Sequence, residues 1–151
     1  MRPILLMLIT IMLLCCSCGN RTVYTEFYSL STEGWHQDSA MTYTVAIDDS
    51  TASYDLLLVV RHTTQYPYQN LWLFVDEYMG NMLVHQDTIE AMMADDYGRW
   101  LGSGVNRYEL PLLYDAQRRF NYSGEYTFRV QQGMRTDWLK GITDVGLVVE
   151  R

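Results

Sequence analysis

Cysteine is missing from the whole chain after position 18, because the three cysteines are Cys15, Cys16 and Cys18. A folded body without cysteine can hold neither a disulfide framework nor a zinc site built on thiolates. Its stability must therefore come from an apolar core. Twelve tyrosines and four tryptophans fit that demand, since aromatic rings bury large areas while their polar tips stay hydrated.

Basic residues are also few. The chain has 11 basic against 18 acidic residues, a net charge of −7, and no basic run longer than Arg118-Arg119. Nucleic acids and anionic lipid surfaces are bound through a basic face. The composition therefore excludes both as partners of the folded body.

The one long apolar stretch lies at the amino end. Arg2 precedes a predominantly apolar segment at residues 4–14, which is too short to cross a bilayer as a helix. A basic start, an apolar segment and small residues before a cysteine predict an export signal at residues 1–17. The mature chain then begins at Cys18, which carries the lipid.

The choice of Cys18 rests on the residues before it. Ser17 and Cys16 are small enough for a signal-cleavage pocket, whereas cleavage before Cys15 would place the bulky Leu14 there. Cys16 remains the alternative acylated residue. Acylation at this end, for example with palmitate, predicts a protein anchored to a membrane by lipid.

Most of the mature sequence alternates apolar and polar residues at period two, which is typical of strands with one buried face. Apolar residues at 54–62 and 71–78 are denser and predict central strands, with Trp72 in the core. Gly80-Asn81 predicts a hairpin between 71–78 and the following strand. The predicted strands are residues 41–48, 54–62, 71–78, 82–92, 108–114, 125–131 and 145–151.

These short strands, separated by turn signals, predict an all-β protein: an antiparallel β-sandwich of about seven or eight strands. Residues 18–30 are expected to hold the lipid anchor, a short tether and a possible first strand. Residues 31–151 are expected to form a single sandwich domain. Residues 114–120 and 134–139 are long enough for a helical turn or two.

No catalytic, cofactor or metal site is predicted. His36, His62 and His85 lie on separate segments and none begins a His-Glu-x-x-His motif. Asp95-Asp96 precedes a glycine loop, where neighbouring carboxylates more often make turn hydrogen bonds than acid–base pairs. Gly102-Ser103-Gly104 lacks the lysine of a phosphate-binding loop. The prediction is a protein that is not an enzyme.

Three tryptophans are candidates for an interaction surface. Trp35 and Trp100 each lie within two residues of glycine in loop-like sequence, and Trp138 follows Asp137. Exposed aromatic rings can stack on sugars or anchor a protein partner. Two readings stay open here, a protein-binding module and a glycan-binding one. A third is an exposed edge strand that pairs with a partner's strand.

Several segments together resemble the gliding-motility lipoprotein family GldH. In order they are Tyr28-Ser29-Leu30, Gly34-Trp35-His36, Tyr66-Pro67-Tyr68-Gln69-Asn70-Leu71, Gly98-Arg99-Trp100-Leu101-Gly102-Ser103-Gly104 and Gly141-Ile142-Thr143-Asp144-Val145-Gly146. Their order and spacing span essentially the whole chain.

The resemblance implies a lipid-anchored envelope protein of the apparatus that drives surface gliding, which is linked to a secretion system. It implies no reaction and no cofactor. Its expected partners are other envelope proteins of that motility or secretion apparatus. Residues 19–22 lack the acidic cluster that often marks lipoproteins sent to the cell surface. We therefore expect an outer-membrane anchor with the domain facing the periplasm.

Overall fold

The computed structural model describes residues 21–151, and within this range the secondary structure consists of strands, with no helix. Two antiparallel sheets pack face to face, so the predicted antiparallel β-sandwich is confirmed. The strands are β1 (Thr22–Ser29), β2 (Trp35–His36), β3 (Met41–Ile47), β4 (Tyr54–Thr63), β5 (Asn70–Met79), β6 (Met82–Met92), β7 (Ser103–Gly104), β8 (Arg107–Arg118), β9 (Gly124–Gln132), β10 (Trp138–Leu139) and β11 (Ile142–Glu150).

One sheet has five strands in the order β1-β11-β4-β8-β7, and the other has four in the order β3-β9-β5-β6. A small two-stranded sheet joins β10 to β2. Because β2, β7 and β10 have two residues each, eight strands carry the sandwich. β1 pairs with β11 along its length, so the strand expected within residues 18–30 belongs to the five-stranded sheet.

The core lies between the two sheets and follows the period-two pattern. On β3, Met41, Tyr43, Val45 and Ile47 are buried while the residues between them are exposed. Leu58 and Val60 of β4 meet them from the five-stranded sheet and are fully buried. Each buried side chain of this size stabilises the fold by about 1.5–3 kcal/mol.

One sequence-based expectation is wrong in this region. Trp72 was expected in the core, but it is 37% exposed. Leu71, Leu73 and Val75 occupy the inner face of β5, and the alternation of a strand therefore turns Trp72 outward. Residues 114–120, which are long enough for a helical turn, instead continue β8 as far as Arg118.

Candidate functional site

Trp100 lies in the loop between β6 and β7, where an isolated bridge pairs it with Ala94. Its ring is half-buried against the buried His62 of β4, with ring centroids 4.8 Å apart in an edge-on arrangement. Tyr66 and Tyr108 complete the cluster, at 6.4 and 6.3 Å from Trp100. The tertiary structure thus surrounds one histidine with three aromatic rings from separate segments.

His62 is fully buried inside this cluster. Its Nδ1 lies 3.1 Å from the carbonyl oxygen of Thr63, which favours the tautomer with the proton on Nδ1. Its Nε2 has no hydrogen-bond partner among residues 21–151. Burial lowers the pKa of His62, and the hydrogen bond to Thr63 only partly offsets this effect. The imidazole of His62 is therefore neutral at pH 7.

Beside the cluster lies an open cleft of about 440 Å³, which we call the Tyr66–Trp100 cleft. Its walls come from the loop before β5 and from the loop after β6. They are Tyr66, Pro67, Tyr68, Gln69, Ala94, Asp95, Asp96, Gly98 and Trp100. Residues from two of the sequence segments that resemble the GldH family, 66–71 and 98–104, thus line one cleft.

Asp95 shapes the second wall. Its carboxylate accepts hydrogen bonds from the backbone N–H groups of Arg99 and Tyr97, both at 2.9 Å, and from Nε of Arg99 at 2.7 Å. These interactions, led by the Arg99 backbone N–H, lower the pKa of Asp95. The carboxylate therefore serves as a turn-forming acceptor, as the sequence predicted for a loop aspartate.

A third family-like segment, residues 141–146, packs against the backbone of Tyr66, which lines the cleft. Gly141 has a φ of +86°, and a Cβ atom there would lie 2.3 Å from the backbone nitrogen of Tyr66. The carbonyl oxygen of Gly141 accepts a hydrogen bond from the N–H of Thr63 at 2.8 Å. Only glycine permits this close approach, which sets the position of Tyr66 in the cleft.

The structure places Trp35 in the core instead of on a surface. It is fully buried, and its Nε1 donates a hydrogen bond to the carbonyl oxygen of Ser39 at 2.6 Å. Trp35 belongs to the core cluster together with Leu139, its partner in the pairing of β2 with β10. Trp35 therefore has no ring face available to a ligand.

Trp138 does lie at the surface, with 45% exposure. Its ring packs edge-on against His36, with centroids 4.7 Å apart, because β10 places it directly opposite that residue. Trp100 belongs instead to the His62 cluster. The three predicted tryptophans therefore form no common surface: one is core, one lines the cleft and one is exposed beside His36.

Sequence reasoning missed the outer face of the four-stranded sheet. Trp72 and Phe74 of β5 are 37% and 44% exposed there. The signal was present in the sequence, because these two aromatics alternate with Leu71, Leu73 and Val75. The dense apolar run concealed it, since such a run also fits a strand buried on both faces.

The three histidines occupy β2, β4 and β6, and within residues 21–151 no group of three side chains of the metal-binding types could hold an ion. The same part of the chain has no helix long and apolar enough to span a bilayer. Cys18 and Cys16 lie outside the described residues. Lipid attachment at Cys18 stays a prediction.

Comparison with known proteins identifies the family. A family model described as GldH lipoprotein matches residues 22–149. A gliding motility lipoprotein GldH homolog of Christiangramia forsetii is 36% identical over 143 residues, covering 89% of this chain and 87% of that protein. The gliding motility lipoprotein GldH of Flavobacterium johnsoniae is 31% identical over 142 residues, covering 89% and 88%.

Among solved structures, that of infectious bursal disease virus Gx strain aligns with a TM-score of 0.37 at 15% identity, covering 89% of this chain and 33% of that one. This similarity is too low to bear on fold or function. The match of the family model and of the two relatives along most of the chain decides the assignment: the chain belongs to the GldH lipoprotein family.

Proposed function

We propose that this protein is a lipid-anchored component of the gliding-motility apparatus that contributes a binding surface to the assembly without catalysing a reaction. The observation that carries the proposal is its family membership along residues 22–149, with relatives named gliding motility lipoproteins. The amino-terminal sequence up to Cys18 supports the anchor. The proposed location is the outer membrane, with the domain facing the periplasm.

The anchor would hold the sandwich close to the bilayer. Three residues separate Cys18 from Thr22, where β1 begins. A fully extended chain of that length spans at most about 14 Å. Each buried methylene of an acyl chain contributes about 0.8 kcal/mol to membrane binding, so two or more chains hold the protein durably. Partners would therefore meet the domain next to the membrane.

The Tyr66–Trp100 cleft is the proposed contact site for a partner protein. It combines aromatic side chains with backbone that is fixed by Asp95 and by the close approach of Gly141. Rigid aromatic anchors in preformed clefts are typical of binding hot spots, because little side-chain entropy is lost on association.

Replacement of the acylated cysteine tests the anchor. In the native host, Cys18→Ala should abolish incorporation of radiolabelled palmitate and release the protein from the membrane, and Cys16→Ala should do neither. Surface spreading of the host should fall to the level of a gene deletion in the Cys18 variant alone. Normal spreading after deletion of the gene would refute a role in gliding.

A charge reversal tests the cleft. Asp96 is exposed on its rim, and Glu33 is an exposed acidic residue outside the cleft lining. Asp96→Arg should impair spreading while leaving the melting temperature within about 2 °C, because an exposed loop side chain contributes little to stability. Glu33→Arg is the matched control and should leave spreading unchanged. Equal effects of the two substitutions would rule out the cleft as the contact site.

A further inference from the structure

The outer face of the four-stranded sheet carries two neighbouring exposed aromatic side chains, bordered by polar residues and by the apolar side chains of Met92 and Met134. Trp72 and Phe74 lie two residues apart on β5, so both point away from the core, as their 37% and 44% exposure shows. Single exposed aromatics need no explanation, but two adjacent rings on one face form a platform.

Polar side chains from both neighbouring strands frame Phe74. In the sheet register, Thr88 of β6 and Gln131 of β9 stand directly opposite it. With Asp76, Gln86 and Asp87 they line an open depression of about 590 Å³. A second depression of about 320 Å³ lies beside Trp72 and is lined by Tyr68, Asn70, Gly133, Met134 and Arg135. Because Trp72 and Phe74 are neighbours, the two depressions form one surface along β5.

The amide side chains in this frame have defined orientations. Nε2 of Gln86 donates a hydrogen bond to Oδ1 of Asp76 at 2.9 Å, and Nε2 of Gln131 donates to the carbonyl oxygen of Gln37. Because each Nε2 is engaged as a donor, each amide oxygen is left as an acceptor, and Thr88 adds a hydroxyl on the β6 side of Phe74. The frame thus offers several hydrogen-bonding groups at the edge of one ring.

Gly133 has no side chain, which lets Phe74 and Trp72 pack closely against its backbone. A Cβ atom at this position would lie 3.1 Å from two ring atoms of Phe74, Cε2 and Cζ, and 3.2 Å from Cβ of Trp72. The phenyl ring therefore leans over the glycine backbone of the chain just after β9. A larger residue at position 133 would displace the Phe74 ring from its position beside Trp72.

Charges of both signs surround the rings. Arg129 stands opposite Asp76 in the register, Glu90 stands opposite Trp72, and Arg135 lines the second depression. With Asp87 included, three acidic and two basic residues surround the rings, so the single excess negative charge disfavours an anionic ligand. The frame also differs from the core of a protein–protein contact, where charged residues are depleted.

We propose that this face is a binding site for an uncharged oligosaccharide. The C–H faces of two sugar rings would stack on Trp72 and Phe74, because aromatic rings cover apolar surface at low entropic cost. The sugar hydroxyls would bond Asp76, Thr88 and the oxygens of Gln86 and Gln131. The proposal goes beyond the role in gliding and does not depend on it. It also differs in location from the glycan surface predicted at Trp35, Trp100 and Trp138.

The test measures binding by the full-length lipoprotein, purified in a detergent without a sugar head group. The probes are immobilised uncharged oligosaccharides of glucose, mannose, galactose, xylose and N-acetylglucosamine. At least one should bind, and Trp72→Ala and Phe74→Ala should each weaken that binding by about tenfold or more. Trp138→Ala removes an exposed tryptophan elsewhere and should leave it unchanged. Circular dichroism should show the same fold in all three variants.

A second variant tests the frame without touching the rings. Asp76→Asn keeps the shape of the side chain and removes its charge, so it should weaken binding less than the ring variants. Failure of every probe to bind, or binding that survives both Trp72→Ala and Phe74→Ala, would overturn the proposal. So would a loss of spreading in Phe74→Ala without any glycan binding, because that result would make the face a protein contact.

Discussion

Arg118 donates hydrogen bonds to the buried carboxylate of Glu77, and its Nη2 lies 3.0 Å from both carboxylate oxygens. Glu77 sits on the inner face of β5, where its side chain is 1% exposed. Burial raises the pKa of Glu77, and the charge of Arg118 partly reverses this effect. Nη1 of Arg118 also donates to Asp115 at 2.9 Å. The arginine thus links β5 to β8 across the sandwich.

The first prediction concerns this pair. Arg118→Met should destabilise the protein by about 3–5 kcal/mol, because it leaves Glu77 buried without its partner. The double variant Glu77→Leu/Arg118→Met should recover most of that loss, since it removes both charges. Urea unfolding measures the free energies. A cost below about 1 kcal/mol for Arg118→Met would show that the pair does not matter for stability.

The second prediction concerns pH. His62 has a lowered pKa in the folded protein, whereas an unfolded histidine titrates near about 6.5. Above that pH the imidazole is neutral in both states and contributes no pH dependence. Below it the unfolded chain takes up a proton that the buried side chain resists, so stability is lost as the pH falls, by at most about 1.4 kcal/mol per pH unit.

Urea unfolding between about pH 7.5 and 5.5 measures this effect. His62→Phe keeps an aromatic ring beside Trp100 and Tyr108 and removes the titrating group. The variant should lose less stability over that range than the natural protein. Parallel pH profiles for the two proteins would contradict a buried, neutral His62.

The third prediction separates two tryptophans by their burial. Trp35→Ala should cost about 3–5 kcal/mol, because it empties a fully buried site and removes the hydrogen bond to Ser39. Trp138→Ala should cost within about 1 kcal/mol, because that ring is 45% exposed. Thermal unfolding of both variants gives the comparison. Similar losses would mean that Trp35 is less buried than described.

The fourth prediction compares two glycines with positive φ. Gly141→Ala should destabilise the fold by more than about 2 kcal/mol, because its Cβ would overlap the Tyr66 backbone. Gly80 has a φ of +60° in the β5–β6 hairpin with no atom near its Cβ position, so Gly80→Ala should cost only about 1 kcal/mol. Guanidinium unfolding of each variant measures the two losses of unfolding free energy. Equal costs would refute steric contact at Gly141.

Much of the fold was predictable because strand formation leaves a local pattern. The alternation at 41–48 predicted β3, and its apolar residues are those found buried. The hairpin at Gly80-Asn81 joins β5 to β6 as predicted. Prediction failed at Trp72, because the dense apolar run also fits a strand buried on both faces and so concealed the alternation with Leu71 and Leu73.

The candidate site was harder to predict than the strands. The segments at 66–71 and 98–104 could be identified from the sequence, but nothing local showed that they line the same cleft. Trp35 and Trp100 looked alike in the sequence, since each lies within two residues of a glycine. One proved to be core and the other lines the cleft, because burial depends on which distant strands pack above a residue.

The sequence by itself determined the strand character of the chain, its acidic charge and its lack of cysteine after position 18, since these follow from composition and from neighbours two residues apart. Only the tertiary structure decided which strands are neighbours, as where β1 pairs with β11 from the opposite end of the described chain. It also decided which aromatic side chains remain exposed. The physical reason is that side-chain direction is a local property of a strand, whereas its burial is set by contacts between residues far apart in the chain.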